Sequence, residues 1–288
     1  MKNSPIKNLP ASVRQRLYNL ARERMEDFQY VLTLYALERL LFRMGASPFK
    51  KRFVLKGAML FQIWSPDVHR MTRDLDLLDA DNHEAPRVVE AFRRILDLRV
   101  PDDGIAFDTR SLRWEPIREG ALYHGVRIRV VATLEKARIP LQVDVGFGDV
   151  VSPAPRMTRY PTLLDQPPPR VLAYARETAV AEKLHAMVVH GMTNTRMKDY
   201  YDVWCLFRDH RFTRTKLLKA FQASFSRQRT AFPTDWPPAL TQEYFADPRV
   251  SVQWNAFWMK TAIPGKPVPL KKVGSDIRRY LKPYLFLS

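Results

Sequence analysis

Two aspartates spaced one residue apart, Asp74 and Asp76 in Arg73-Asp-Leu-Asp-Leu-Leu78, are the first side chains in this sequence with the makings of a reaction centre. On a β-strand, side chains alternate between faces, so both carboxylates would project together while Leu75 and Leu77 point into a core. Adjacent carboxylates repel, and a divalent cation between them relieves the repulsion. Magnesium suits the position because it takes oxygen ligands and keeps coordination places open for substrate phosphates. An isolated Asp-x-Asp is more often a solvated strand edge or turn, so its neighbours carry the weight. Upstream, Phe53-Val-Leu-Lys-Gly-Ala-Met-Leu60 reads as an apolar strand, a glycine turn and the start of a short helix. Glycine at that turn lets backbone N–H groups approach phosphate oxygens, and a helix N-terminus adds a favourable dipole. Lys56, His69, Arg70 and Arg73 lie between the turn and the aspartates, available to neutralise a triphosphate. Downstream, Leu141-Gln-Val-Asp-Val-Gly146 puts Val143 and Val145 on one strand face and Asp144 on the other. Asp144 could be a plain surface acid. Beside the Asp74 strand it would complete a cluster of three carboxylates able to bind one or two magnesium ions for in-line phosphoryl chemistry.

The glycine turn, the Asp-x-Asp strand and a third aspartate on a neighbouring strand resemble the nucleotidyltransferase superfamily. More specifically, Val180-Ala-Glu-Lys-Leu-His-Ala186 followed by Asn194-Thr-Arg-Met-Lys-Asp-Tyr-Tyr-Asp202 resembles the AbiEii toxin family, the nucleotidyltransferase-like toxins of type IV toxin-antitoxin systems. The resemblance spans nearly the whole chain. It implies metal-ligand roles for Asp74 and Asp76, and for Asp144 either a third ligand or the group that activates an acceptor hydroxyl. Lys183 matches the family's essential lysine and would contact nucleotide phosphates, Asp199 matches its downstream essential aspartate, and Asp202 stands one helical turn further. Lys56, Gly57, Ala58, Arg73 and Asp202 would complete the nucleotide contacts. The implied reaction is magnesium-dependent transfer of a nucleoside monophosphate from an NTP to an acceptor hydroxyl. The family-level acceptor is the 3′ end of tRNA, the outcome growth inhibition, and the partner a cognate antitoxin. Where relatives carry a second glycine or a serine followed by a hydroxyl residue, this chain has Gly57-Ala58-Met59, which leaves only backbone donors at the turn. That departure motivates a second reading, a catalytically weak basic module that binds RNA or an antitoxin. A third is nucleotidylation of a small molecule such as an antibiotic, using the same metal site.

These residues need elements to hold them. From Ala11 to Gly45, apolar residues recur at helical spacing, which predicts an N-terminal helical hairpin or long broken helix. Strands are expected at Arg73–Leu78, Val126–Leu134 and Leu141–Val145, and an amphipathic helix at Pro86–Leu98. Strands alternating with helices predict an α/β (α+β) fold, a mixed-sheet core of the nucleotidyltransferase type with an N-terminal helical segment and a C-terminal helical domain. The prolines between Ser152 and Arg170 suggest a stiff connector. Beyond it, Arg176–His190 and Met197–Phe207 read as helices, Gly191 closing the first in an αL conformation, and the rest looks mainly helical. The expected division is residues 1–50, 51–165 and 166–288. Asp199 and Asp202, at i and i+3, would share a helix face and could hold Lys183 or Arg196. His185 and His190, five apart, do not make a His-Glu-x-x-His zinc helix. Trp204, Trp254 and Trp258 read as core.

Composition narrows the partners. The 288 residues carry 47 Lys+Arg against 30 Asp+Glu, a formal charge of +17, and 46% hydrophobic residues, which exclude a wholly disordered chain. A pI near 10 points to a polyanion. The surplus is +5 over residues 1–150 and +12 over residues 151–288, which makes the second part the expected holder of nucleotide and RNA, opposite a metal-binding first part. The single cysteine, Cys205, cannot form an internal disulfide, so a reducing, cytoplasmic compartment is expected. The start of the chain has charges but no apolar run, and no later stretch approaches a membrane span. No Walker loop, Gly-x-Ser-x-Gly elbow or Gly-x-Gly-x-x-Gly turn is present.

Overall fold

The computed structural model describes residues 8–65, 70–81, 84–119, 122–148, 151–263 and 265–286. They form two compact units. The first contains helices α1 (Leu9–Arg24), α2 (Phe28–Ala46), α3 (Phe61–Trp64) and α4 (Ala85–Leu96). Its strands are β1 (Phe53–Lys56), β2 (Asp74–Asp79), β3 (Ile105–Glu119), β4 (Leu122–Leu134), β5 (Ala137–Phe147), β6 (Arg156–Arg159) and β7 (Arg170–Ala173). They make one mixed sheet of order β3-β4-β5-β2-β1-β7-β6.

Alternation explains why the sheet has one wet face and one dry face. On β4, Val126, Ile128, Val130, Ala132 and Leu134 are buried, and on β5 Ile139, Leu141, Val143 and Val145, with Leu75 and Leu77 of β2 beside them. Helices α1, α2 and α4 pack against this sheet, closing a core that includes Phe53 edge-on to Phe92. Asp27 caps α2 by accepting the Tyr30 N–H at 2.8 Å. Two buried forks lock the sheet's ends. Arg43 on α2 grips Asp103 just before β3 (2.7 and 3.1 Å), and Arg52 grips Asp79 at the end of β2 (3.0 and 2.9 Å). The second fork fixes the β1–β2 register that sets Lys56 opposite Asp76.

The structure corrects the reading of the Pro-rich stretch as a connector. Its proline-free spans form β6 and β7, and β7 pairs parallel with β1. Pro153, Pro155, Pro161, Pro167, Pro168 and Pro169 fall outside those spans, where no ladder N–H is needed. Strand β3 is an addition that the sequence reading lacked.

The second unit is helical, with α5 (Arg176–His190), α6 (Met197–Asp209), α7 (Arg214–Arg227), α8 (Gln242–Ala246), α9 (Pro248–Lys260) and α10 (Leu270–Leu285). Residues 70–71 and 151–155 cluster with it. Trp204, Trp254 and Trp258 are buried as expected, and the Trp204 indole donates to Asp276 at 3.1 Å. Gly191 ends α5 at φ 51°, ψ −137°, a glycine-favoured backbone that differs from the expected αL residue in ψ. Cys205 is buried, which pushes its thiol up to about 12 and leaves it unreactive. Among the described residues no helix is long and apolar enough to cross a membrane.

Candidate active site

The wet face of the sheet gathers the first group of predicted residues. Strands β2 and β5 run parallel with Asp76 opposite Asp144 and Asp74 opposite Gln142. Lys56 lies opposite Asp76 on β1, and Arg127 lies opposite Asp144 on β4. One row across four strands therefore reads Lys56, Asp76, Asp144, Arg127, and Glu115 of β3 extends it. The next row carries Asp74, Gln142, Arg129 and Arg113.

Gly57 makes the turn after β1 with φ +72°, and a Cβ there would collide with the Asp76 carboxylate. Glycine is needed on both counts, for the left-handed backbone and for the close approach of Asp76. The residues that follow, Ala58, Met59 and Leu60, form a single 3₁₀ turn with their side chains buried. The turn thus presents backbone on its outer side. Arg73 is exposed and lies 3.9 Å from Asp27. His69 lies outside the described residues, as does most of Ser65-Pro-Asp-Val-His69.

The second group sits within the helical unit. Lys183 on α5 donates to Asp199 at 2.8 Å and lies 2.7 Å from Asp202, both on α6, as the i, i+3 spacing predicted. Arg196 reaches Asp199 at 2.6 Å. Arg70 forks onto Asp202 (2.8 and 2.9 Å). Lys183 is 14% exposed and the two carboxylates essentially buried. Burial alone would lower the Lys183 pKa, but Asp199 and Asp202 outweigh it and hold the pKa above the usual lysine value. Burial likewise opposes ionisation of Asp199, and Lys183 with Arg196 overcomes it, holding the carboxyl below its usual range. Two of the three ammonium donors of Lys183 are used in these contacts.

His185 is a packing residue, bonded to Thr230 at 2.9 Å and edge-on to Phe225. One participant, Arg127, is not among the residues expected from the sequence. Arg127 forks onto Asp144 with Nε–Oδ1 2.8 Å and Nη2–Oδ2 2.7 Å. A usable signal existed: β4 and β5 join through a two-residue turn at Glu135–Lys136, and seven residues back along each arm lies Arg127 opposite Asp144. Arg70, expected from the sequence to face phosphates, is bound to Asp202.

A model of the family described as nucleotidyl transferase AbiEii toxin, type IV toxin-antitoxin system, matches residues 39–269. The chain belongs to the AbiEii family. The matched span contains the Gly57 turn, Asp74, Asp76 and Asp144, and the Lys183 network. No curated protein matches this AbiEii-family chain. Among solved structures, it is similar to a protein described as a candidate nucleotidyltransferase from H. pylori, at 14% identity and a TM-score of 0.45, covering 86% of this chain and 92% of that one. It is also similar to JHP933 from Helicobacter pylori, at 14% identity and a TM-score of 0.44, covering 86% and 89%.

The donors on the sheet face suit magnesium in kind, being carboxylate oxygens only. Among the described residues no three His, Cys, Asp or Glu side chains converge as a ready-made cage, and both oxygens of Asp144 are engaged by Arg127. That donor set fits an ion held by one or two carboxylates and completed by water and substrate phosphates, the usual habit of magnesium at nucleotide sites.

Proposed function

We propose that this AbiEii-family chain transfers a nucleoside monophosphate from an NTP to an acceptor hydroxyl, using Asp74 and Asp76 to hold a magnesium ion. The observation that supports it best is the row Lys56, Asp76, Asp144, with Gly57 turned beneath the Asp76 carboxylate. The acceptor oxygen would bond to the α-phosphorus while the bond from that phosphorus to the bridging oxygen breaks. Pyrophosphate leaves, and the hydroxyl proton passes to a base, for which Asp144 is the carboxylate beside Asp76. Asp74 and Asp76 would hold a divalent ion, which would supply positive charge against the phosphates. Lys56 and the backbone N–H groups of Gly57 and Ala58 bind the triphosphate, with Arg73 as an outer cation. Lys183, seated on Asp199 and Asp202, contributes a remaining N–H donor to phosphate.

The proposed acceptor is RNA, with the 3′ end of tRNA to be tested first. Arg113, Arg127 and Arg129 on the face that bears the aspartates, and the +12 surplus over residues 151–288, favour a polyanion over a small acceptor. A cognate antitoxin is the expected protein partner, and a reducing compartment suits the lone buried Cys205. The test is incubation of the purified chain with total tRNA, magnesium and each labelled NTP in turn. Label should enter RNA with one or more NTPs and fail to do so with Asp76→Ala. Incorporation no greater than that of Asp76→Ala would overturn the proposal and favour the catalytically weak binding module.

A further inference from the structure

Asp144 already has a resident cation. The Arg127 guanidinium meets it edge to edge across the β4–β5 ladder, one N–H bond to each carboxylate oxygen, at 2.8 and 2.7 Å. The two side chains are 33% and 19% exposed, so the pair is partly shielded from water. Arg127 is braced from its other side by Glu115, 3.9 Å away, which in turn binds Arg129 at 2.9 Å. A carboxylate offers about four lone-pair positions, and a forked guanidinium occupies the pair that a chelating metal ion would use. Arginine also keeps its charge at every working pH, so the pairing cannot be released by loss of a proton. A second divalent ion at Asp144 would have to displace this fork and then sit beside a guanidinium held by Glu115.

We infer that Arg127 is a fixed substitute for a second metal ion, so that the site takes one divalent cation, on Asp74 and Asp76, while Arg127 supplies the positive charge at Asp144. This rests on the nucleotidyltransferase reading above. Reactions of this class often place two cations about the transferring phosphorus. Here the second positive charge is built into β4, positioned by strand register and oriented by two carboxylates. Arg127 would accordingly bind a phosphate oxygen through the donors that the fork leaves uncommitted, while holding Asp144 in place.

The test is a count of bound Mn²⁺ by electron paramagnetic resonance on the full chain, without nucleotide or RNA. Wild type should bind one ion, lost in Asp74→Ala. Arg127→Gln should gain a second site, bound about ten- to hundredfold more tightly than any second ion on wild type, the range expected for release of a charge-assisted fork. That site should vanish in Arg127→Gln/Asp144→Asn. Arg127→Lys keeps a cation without the fork and should stay at one ion, which supports the charge argument even if the glutamine variant folds poorly. Two ions on wild type, or no gain in Arg127→Gln with its circular dichroism unchanged, overturns the inference while leaving the single-metal reading intact. No bound Mn²⁺ on wild type overturns both.

Discussion

Replacing Gly57 by alanine puts a methyl group where the structure leaves no room. At φ +72° a residue with a Cβ costs about 1–2 kcal/mol relative to glycine. The new Cβ would also fall on the Asp76 carboxylate and 2.8 Å from the Asp76 Cβ. Accommodating such overpacking typically costs about 1–3 kcal/mol more, giving a total of about 2–5 kcal/mol. The two contributions separate in a double-mutant cycle. With Asp76→Gly the obstructing side chain is gone, and Gly57→Ala should then cost only the backbone share, about 1–2 kcal/mol. Native-state hydrogen exchange on peptides from β1 and β2 reads the sheet unit by itself, avoiding a single transition fitted over two units. In the Asp76-containing protein, Gly57→Ala should also weaken Mn²⁺ binding, because the carboxylate must rotate away. Equal costs of Gly57→Ala in the two backgrounds would refute the argument that the glycine is there to admit Asp76.

Lys183→Met removes the cation that seats Asp199 and Asp202, and should destabilise the helical unit by about 3 kcal/mol, near the lower end for a broken buried pair because Arg196 and Arg70 remain. The raised Lys183 pKa stabilises below the unfolded lysine value and is lost as pH rises through the folded one; the lowered Asp199 pKa stabilises above the unfolded aspartate value and is lost as pH falls through the folded one. The wild-type advantage over Lys183→Met in chemical denaturation should therefore be flat between about pH 4 and 10 and shrink outside that window. Glu38 behaves oppositely: burial, only partly offset by Arg39 and the Leu163 N–H, pushes its carboxyl up to about 7. Because the folded state holds that proton more tightly, stability should fall as pH rises from about 4.5 to 7, by roughly 3 kcal/mol in all, and Glu38→Gln should flatten that slope in urea titrations. Arg113→Gln/Arg129→Gln should weaken RNA binding and reduce the slope of log K against log salt by about 1.4, measured by fluorescence anisotropy; an unchanged slope would remove the sheet face from the RNA-binding surface.

What was legible in the sequence followed from how locally each feature is specified. Alternation places Asp74 and Asp76 together on β2, β-branched runs bounded by glycine or proline locate β4 and β5, and Gly191 locates the end of α5. The side-by-side placement of Asp74 and Asp76 followed from their spacing on one strand, and the shared face of Asp199 and Asp202, which meets both Lys183 and Arg196, from their i, i+3 spacing on α6. Strand β3 was hidden because it is an edge strand with charged outward positions and a register shift between Asp108 and Arg113 that breaks its period. Strands β6 and β7 are four residues each, too short for periodicity to register among six prolines. Arg70 could not be assigned to Asp202 beforehand, because that contact joins residues 132 positions apart and depends on tertiary packing. Arg127 fell between these cases, since the hairpin turn determines its partner once both arms are recognised as strands.

The most direct test of nucleotidyl transfer is a balance of its two products. Wild-type protein, magnesium, one NTP and tRNA should yield RNA heavier by whole nucleoside monophosphates in intact-mass spectra, with one pyrophosphate released for each monophosphate added. Asp74→Ala and Asp76→Ala should yield neither. Monophosphate addition that persists in both variants, or nucleotide consumption that releases orthophosphate without a change in acceptor mass, would contradict the account.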